Sequence, residues 1–102
     1  MSGRYVVAPQ AALDLYEIWL YVGELSSVAT ANRIEEEIRS KLSLLAGTPG
    51  AGHSRRDLTD QNVRFFPVYS YLIVYRPDTT PLQVVAILHG RRDLEHILRN
   101  RS

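Results

Sequence analysis

Cysteine is absent from this 102-residue chain, which excludes disulfide staples, thiolate zinc sites and cysteine nucleophiles together. A reducing cytoplasm is the compartment this expects. Lysine is almost missing too, since eleven of the twelve cationic side chains are arginine. The positive charge therefore sits on the side chain whose planar fork matches phosphate and carboxylate. No apolar run approaches the roughly 20 residues needed to cross a bilayer, so no membrane span is expected. The opening MSGRYVVAPQ has one arginine and no long apolar stretch, unlike a secretory signal. Repeats, low-complexity tracts, nucleophile motifs, phosphate-binding glycine loops and metal-ligand spacings are all lacking. The histidines, His53, His89 and His96, are scattered along the chain. Neither a metal nor another cofactor is expected.

What is present suits one compact unit, expected to span residues 1–102. Hydrophobic residues make up 45% of the chain, too many for disorder. The net charge of +1 hides an uneven distribution. Residues 1–50 hold four basic and six acidic side chains, and residues 51–102 hold eight arginines against five acids. That bias points the second half toward an anionic partner.

The local pattern alternates between the periods of strand and helix. Arg4–Ala8 reads as a short strand, and Pro9 opens a helix where its missing N–H is harmless. Ala12, Leu15, Trp19 and Val22 recur at helical spacing with Tyr16 beside them, and Gly23 is placed to end that helix. Ser26 or Ser27 can cap a second helix. Its stripe is Ala31, Ile34, Ile38, Leu42 and Leu45, and Glu35–Arg39 and Glu37–Lys41 lie four apart on its outer face. Gly47-Thr48-Pro49-Gly50 stops it. So short a connection makes the two helices an antiparallel hairpin.

Residues 51–62 are polar and aperiodic, as in a loop. Strands are expected at Val63–Val68, Tyr71–Arg76 and Gln83–His89, with Pro67 placing the first at an edge. The last is nearly all apolar, as befits a central strand covered on both sides. Asp93 can cap a short final helix that turns Leu94, Ile97 and Leu98 inward. The fold class is therefore α+β, in the order β-α-α-β-β-β-α, with the helical hairpin on a mostly antiparallel sheet.

The densest group of chemical side chains is His89-Gly90-Arg91-Arg92-Asp93. Gly90 permits a tight turn at the strand end, His89 has the residue type of a general acid–base, and the arginines suit an anion. A lone histidine is no mechanism, and the arginines serve equally well as salt-bridge partners. Four arginines among the last fourteen residues make a modest basic patch, less than nucleic-acid binders usually carry. Tyr69, Tyr71 and Tyr75 crowd the same region, fit either for core packing or for stacking on bases.

Several runs, taken in order, resemble the RelE/ParE superfamily of bacterial toxins. They are Glu17-Ile18-Trp19, Leu45 to Gly52, Arg56-Asp57-Leu58 with Arg64, Tyr71 to Arg76, and Ile87 to Asp93. The resemblance covers almost the whole chain. It implies the toxin of a type II toxin–antitoxin, or plasmid-stabilisation, module that arrests growth until a co-encoded antitoxin neutralises it. ParE-like members trap DNA gyrase with its DNA cleaved, whereas RelE-like members cut messenger RNA on the ribosome. The places that bear RelE's catalytic groups hold Val63, Phe65, Leu72, Arg92 and Leu98 here. Only Arg92 keeps the chemistry, so the ParE-like branch and a non-enzymatic role are favoured. A divergent nuclease using His89, Arg91 and Arg92, or a non-toxic interaction module, are the alternatives. The antitoxin is expected in the groove between hairpin and sheet. Arg55, Arg56, Arg64, Arg76, Arg91, Arg92 and Arg99 are the residues expected to meet it or the target. Residues 94–102 are expected to serve toxicity rather than antitoxin binding.

Overall fold

The computed structural model describes residues 4–101. Residues 1–3 and 102 lie outside it, and with them the two ends of the expected 1–102 unit and the start of the segment read above for a signal peptide. Strand β1 (Tyr5–Val7) leads into helix α1 (Pro9–Leu25) and helix α2 (Val28–Gly47). A single 3-10 turn at Pro49–Ala51 and a loop precede β2 (Arg64–Val68), β3 (Tyr71–Arg76) and β4 (Leu82–His89), and α3 (Leu94–Arg99) follows. The sheet order is β1-β4-β3-β2. β4 pairs antiparallel with β3 and β3 with β2, whereas β1 runs parallel to β4. None of the described helices is long and apolar enough to cross a membrane.

Local chemistry accounts for most boundaries. Pro9 stands at the first helical position of α1, where an amide N–H would have no partner inside the helix anyway. Ser27 caps α2 by accepting from the Thr30 N–H at 3.0 Å, while Ser26 ends α1 by donating its backbone N–H to the Val22 carbonyl. Gly23 does not end α1, which continues to Leu25. A Cβ at Gly23 would make only ordinary contact, 3.9 Å from Ala31 Cβ, so packing does not demand glycine there. The inward stripe of α1 is also turned by one residue from the expected one. Ala11, Asp14, Leu15 and Val22 are buried, Ala12 is exposed, and Trp19 is half-buried. Trp19 instead ties the hairpin together by donating its indole N–H to Asn32 Oδ1 at 2.8 Å.

Two cores form, one on each face of the sheet. The hairpin covers the first, in which Ala11, Leu15, Ile38, Leu42 and Leu45 meet Ile73, Tyr75, Val84 and Ile87. On the other face Leu94 and Leu98 of α3 close over Val74, Val85, Ala86 and Leu88, joined by Val63 and Phe65. β4 feeds both because successive side chains of a strand point to opposite faces, and it also carries one extra residue. Its register against β3 steps from Val74↔Ala86 to Tyr75↔Val84, leaving Val85 as a bulge that re-aims the strand.

Three polar arrangements hold these layers. Tyr75 donates its hydroxyl to the Pro49 carbonyl at 2.7 Å and accepts the Gly52 N–H at 2.8 Å. Arg64 donates to the Gly52 carbonyl at 2.8 Å, so β2, β3 and the loop close on one glycine. The third arrangement is a buried ion pair. Asp14, only 6% exposed, accepts both guanidinium nitrogens of Arg101 and the Ile87 N–H at 3.1 Å. Of the expected functional tail, 94–102, the described residues 94–101 are thus bound into the fold by an apolar helix face and a clasp. Toxicity lost on removing them would report lost structure.

Replacing Arg101 by alanine leaves the Asp14 carboxylate buried without its countercharge. The expected loss is about 3 kcal/mol of folding stability, read from urea unfolding. The same change at Arg39, whose exposed pair with Glu35 spans one helical turn, should cost no more than about 0.5 kcal/mol. Equal losses would remove the special weight given to the clasp. At Gly52 an added Cβ would stand 2.5 Å from the Tyr75 hydroxyl oxygen and 3.0 Å from the Phe65 carbonyl. Gly52→Ala should therefore destabilise by about 1–3 kcal/mol through overpacking, and a melting temperature equal to the parent's would contradict the cradle. Burial raises the Tyr75 hydroxyl pKa above its usual value near 10.0, against the opposing pull of Gly52 and Arg64. Burial and the neighbouring Tyr21 do the same to Tyr71. The folded chain keeps protons that the unfolded chain releases. Their stabilisation is complete below pH about 10 and lost as pH rises further. Denaturation followed by phenolate absorbance between pH 9 and 12 should show that decline, and Tyr75→Phe should flatten it.

Candidate functional site

β1 ends at Val7, which pairs with Val84, and Ala8 adds one more bond by donating its N–H to the Val84 carbonyl at 3.0 Å. Beyond that point no strand among the described residues lies on the outer side of β4, and α1 runs past the gap. Asp14 fills part of the gap by accepting the Ile87 N–H. What remains is a cleft of about 500 Å³ between α1 and the end of the sheet. Asp14, Glu17, Ile18 and Tyr21 form its helical wall, and Tyr71, Ile87 and His89 its sheet wall. Arg91 and Arg92 stand at its mouth.

His89 is the last residue of β4, and its ring meets Tyr71 edge-on at 5.6 Å between centroids. Its Nδ1 accepts the Arg91 N–H at 3.1 Å, and its carbonyl accepts the Arg92 N–H at 3.0 Å. A neutral imidazole accepting at Nδ1 carries its proton at Nε2, so His89 is a donor on its other side. The turn that places Arg91 and Arg92 is braced from the β2–β3 hairpin, where Ser70 accepts the Gly90 N–H at 2.9 Å. Neither guanidinium has a carboxylate or hydrogen-bond partner among the described residues. Partial burial raises the pKa of Tyr71 above the usual tyrosine value. The cleft therefore converges donors at its sheet end, while Asp14 on the opposite wall is already neutralised by Arg101.

The remaining sequence candidates lie elsewhere. Arg55 pairs with Asp57 at 2.8 Å, an exposed contact whose hydrogen bond raises the guanidinium pKa and lowers that of the carboxyl. Arg56 donates to the Asp60 carbonyl at 3.1 Å and borders a shallow hollow with Arg99. Arg64 is committed to Gly52. Arg76 lines a second cavity of about 640 Å³ on the far side of β1 and β4, with Val6, Gln83 and Val85. Only His89, Arg91 and Arg92 share one site. His53 instead pairs backbone to backbone with Phe65, and His96 belongs to α3. Asp14, Glu17, Tyr21 and Arg101 were not among the sequence candidates. One signal for Asp14 was available, a carboxylate in phase with Ala11, Leu15 and Ile18 on a stripe that must be buried.

The five places that the RelE resemblance singled out do not gather in the cleft. Val63, Phe65 and Leu98 are buried in the core beneath α3, and Leu72 packs against the same core. Arg92 alone reaches the cleft.

Residues 5–94 match the family described as "ParE toxin of type II toxin-antitoxin system, parDE". No curated protein matches the sequence. A solved structure titled "Chromosomal ParDE TA system from P. aeruginosa" superposes with a TM-score of 0.73 at 18% identity, over 86% of this chain and 96% of that one. At that identity the likeness speaks for the fold, a four-stranded mixed sheet carrying three helices. The family match extends from β1 to the start of α3, and on it the chain belongs to the ParE toxins of type II toxin–antitoxin systems.

Proposed function

We propose that this toxin inhibits DNA gyrase without cutting nucleic acid itself, and that a co-encoded antitoxin neutralises it. The carrying observation is the core beneath α3, where four of the five places that serve RelE chemistry hold Val63, Phe65, Leu72 and Leu98. A phosphodiester-cleaving site needs cations and proton-transfer groups at the scissile bond. A close-packed apolar layer leaves room for neither. Family membership favours the gyrase branch in their place. The antitoxin has a natural seat on α1, whose outer face exposes Leu13, Tyr16 and Leu20 at 50%, 56% and 39%. These three lie at helical spacing on one face, which an amphipathic partner segment would cover by folding as it binds. That surface leads to the cleft, whose arginines suit acidic residues in the same segment.

Expression without an antitoxin should slow growth. With purified protein, gyrase should accumulate cleaved DNA while messenger RNA on ribosomes stays intact. Cut message with untouched gyrase would instead make this a divergent nuclease centred on His89, Arg91 and Arg92. Normal growth at confirmed expression, with neither target affected, would leave an interaction module that keeps the fold without toxicity.

A further inference from the structure

The sheet end of the cleft presents a set of donors whose acceptor comes from outside the fold. Arg91 and Arg92 have no partner among the described residues, although they stand on a turn fixed by three hydrogen bonds. His89 offers Nε2–H, because its Nδ1 already accepts. Tyr71 adds a hydroxyl to the same wall. Donors that line one space suit an anion, and arginine forks favour the paired oxygens of a phosphodiester.

One exposed tyrosine lies in the cleft and another on the hairpin turn that braces it. Tyr21 lines the cleft and is 58% exposed. Tyr69, at the β2–β3 turn, is 64% exposed and has φ of 56°. The two-residue turn between β2 and β3 requires left-handed backbone at its first position. It holds the phenol out in solvent next to Ser70, whose carbonyl secures Gly90. Phosphate donors flanked by open tyrosine faces are the two parts of a single-strand platform, with bases stacking on the rings and backbone held by cations.

We infer that the chain itself binds single-stranded DNA here, with a backbone phosphate between Arg91 and Arg92 and the adjoining bases on Tyr69 and Tyr21. The choice of DNA over RNA rests on the gyrase reading, since an open gyrase complex exposes DNA ends. The site lies on the hairpin side of the sheet, opposite the core that holds Val63, Phe65 and Leu98. Two phosphate contacts and two stacked bases place the affinity in the micromolar range typical of sequence-independent binding.

The test is fluorescence anisotropy of a labelled 12-nucleotide DNA strand with the full chain and no gyrase, across a salt series. Each phosphate contact contributes about −0.7 to the slope of log affinity against log salt for single strands. Arg91→Ala or Arg92→Ala should weaken binding about tenfold and flatten the slope by about 0.7. Tyr69→Ala should weaken it at least about fivefold with the slope unchanged. Glu17→Gln, removing the unpaired carboxylate of the opposite wall, should strengthen it severalfold. Arg39→Ala, on the outer face of α2, should leave it alone. No binding at 100 μM, or slopes indifferent to Arg91 and Arg92, would overturn the inference. So would tenfold preference for an RNA strand of the same sequence, or tighter binding of a glutamate-rich peptide of equal charge. Gyrase cleavage by the same preparations separates the two readings. Gyrase poisoning without DNA binding leaves the proposed function standing and removes this site, whereas DNA binding with gyrase unaffected does the reverse.

Discussion

β1 stops after three residues because Pro9 begins a helix, and the consequences run through the molecule. A parallel edge strand that reached as far as β3 would have covered β4 to its end. Instead the outer side of β4 is bare from Val85 onward, and exposed strand edges must be occupied or guarded. Asp14 does so by accepting the Ile87 N–H. A carboxylate in that buried place needs a countercharge, and Arg101 supplies it from the end of the chain. To reach it the final helix folds across the second face of the sheet, where Leu94 and Leu98 complete a core. The part of the gap that Asp14 does not fill is the cleft.

That arrangement separates stability from recognition. The side chains that hold the layers are satisfied inside the fold: Tyr75 and Arg64 on Gly52, Trp19 on Asn32, Asp14 on Arg101. Arg91 and Arg92, raised on a braced turn, have their backbone held and their side chains free. The held backbone adds no ordering cost when an anion arrives, which leaves only the arginine rotamers to be fixed. The burial of Val63, Phe65 and Leu98 shows the opposite choice on the other face. There the sheet surface is given over to packing.

Much of the architecture was legible in local pattern. The stripes of Ala31, Ile38, Leu42 and Leu45, the cap at Ser27, the stop after Gly47 and the edge place of β2 follow from helical period, side-chain hydrogen bonding and the missing N–H of Pro67. The apolar run of β4 correctly signalled burial on both faces. The α1 stripe was displaced because Ala11 and Ala12 look alike, and only packing says which of them faces Ile87. The arginines were harder to read. Arg55, Arg64, Arg76 and Arg92 have the same side chain, yet one is paired, one is bound to a carbonyl, one lies in a separate cavity and one stands at the cleft.

Sequence alone determined the kinds of elements, their order and the family, because periodicity, capping and turn chemistry act within a few residues and survive without tertiary context. Strand order, the parallel placement of β1 and the Asp14–Ile87 and Asp14–Arg101 contacts, 73 and 87 residues apart in the chain, were decided only when whole surfaces were buried together. The cleft belongs to that second kind. Its walls come from α1, the hairpin end of the sheet and the turn after β4, and they meet because one edge strand is too short to keep them apart.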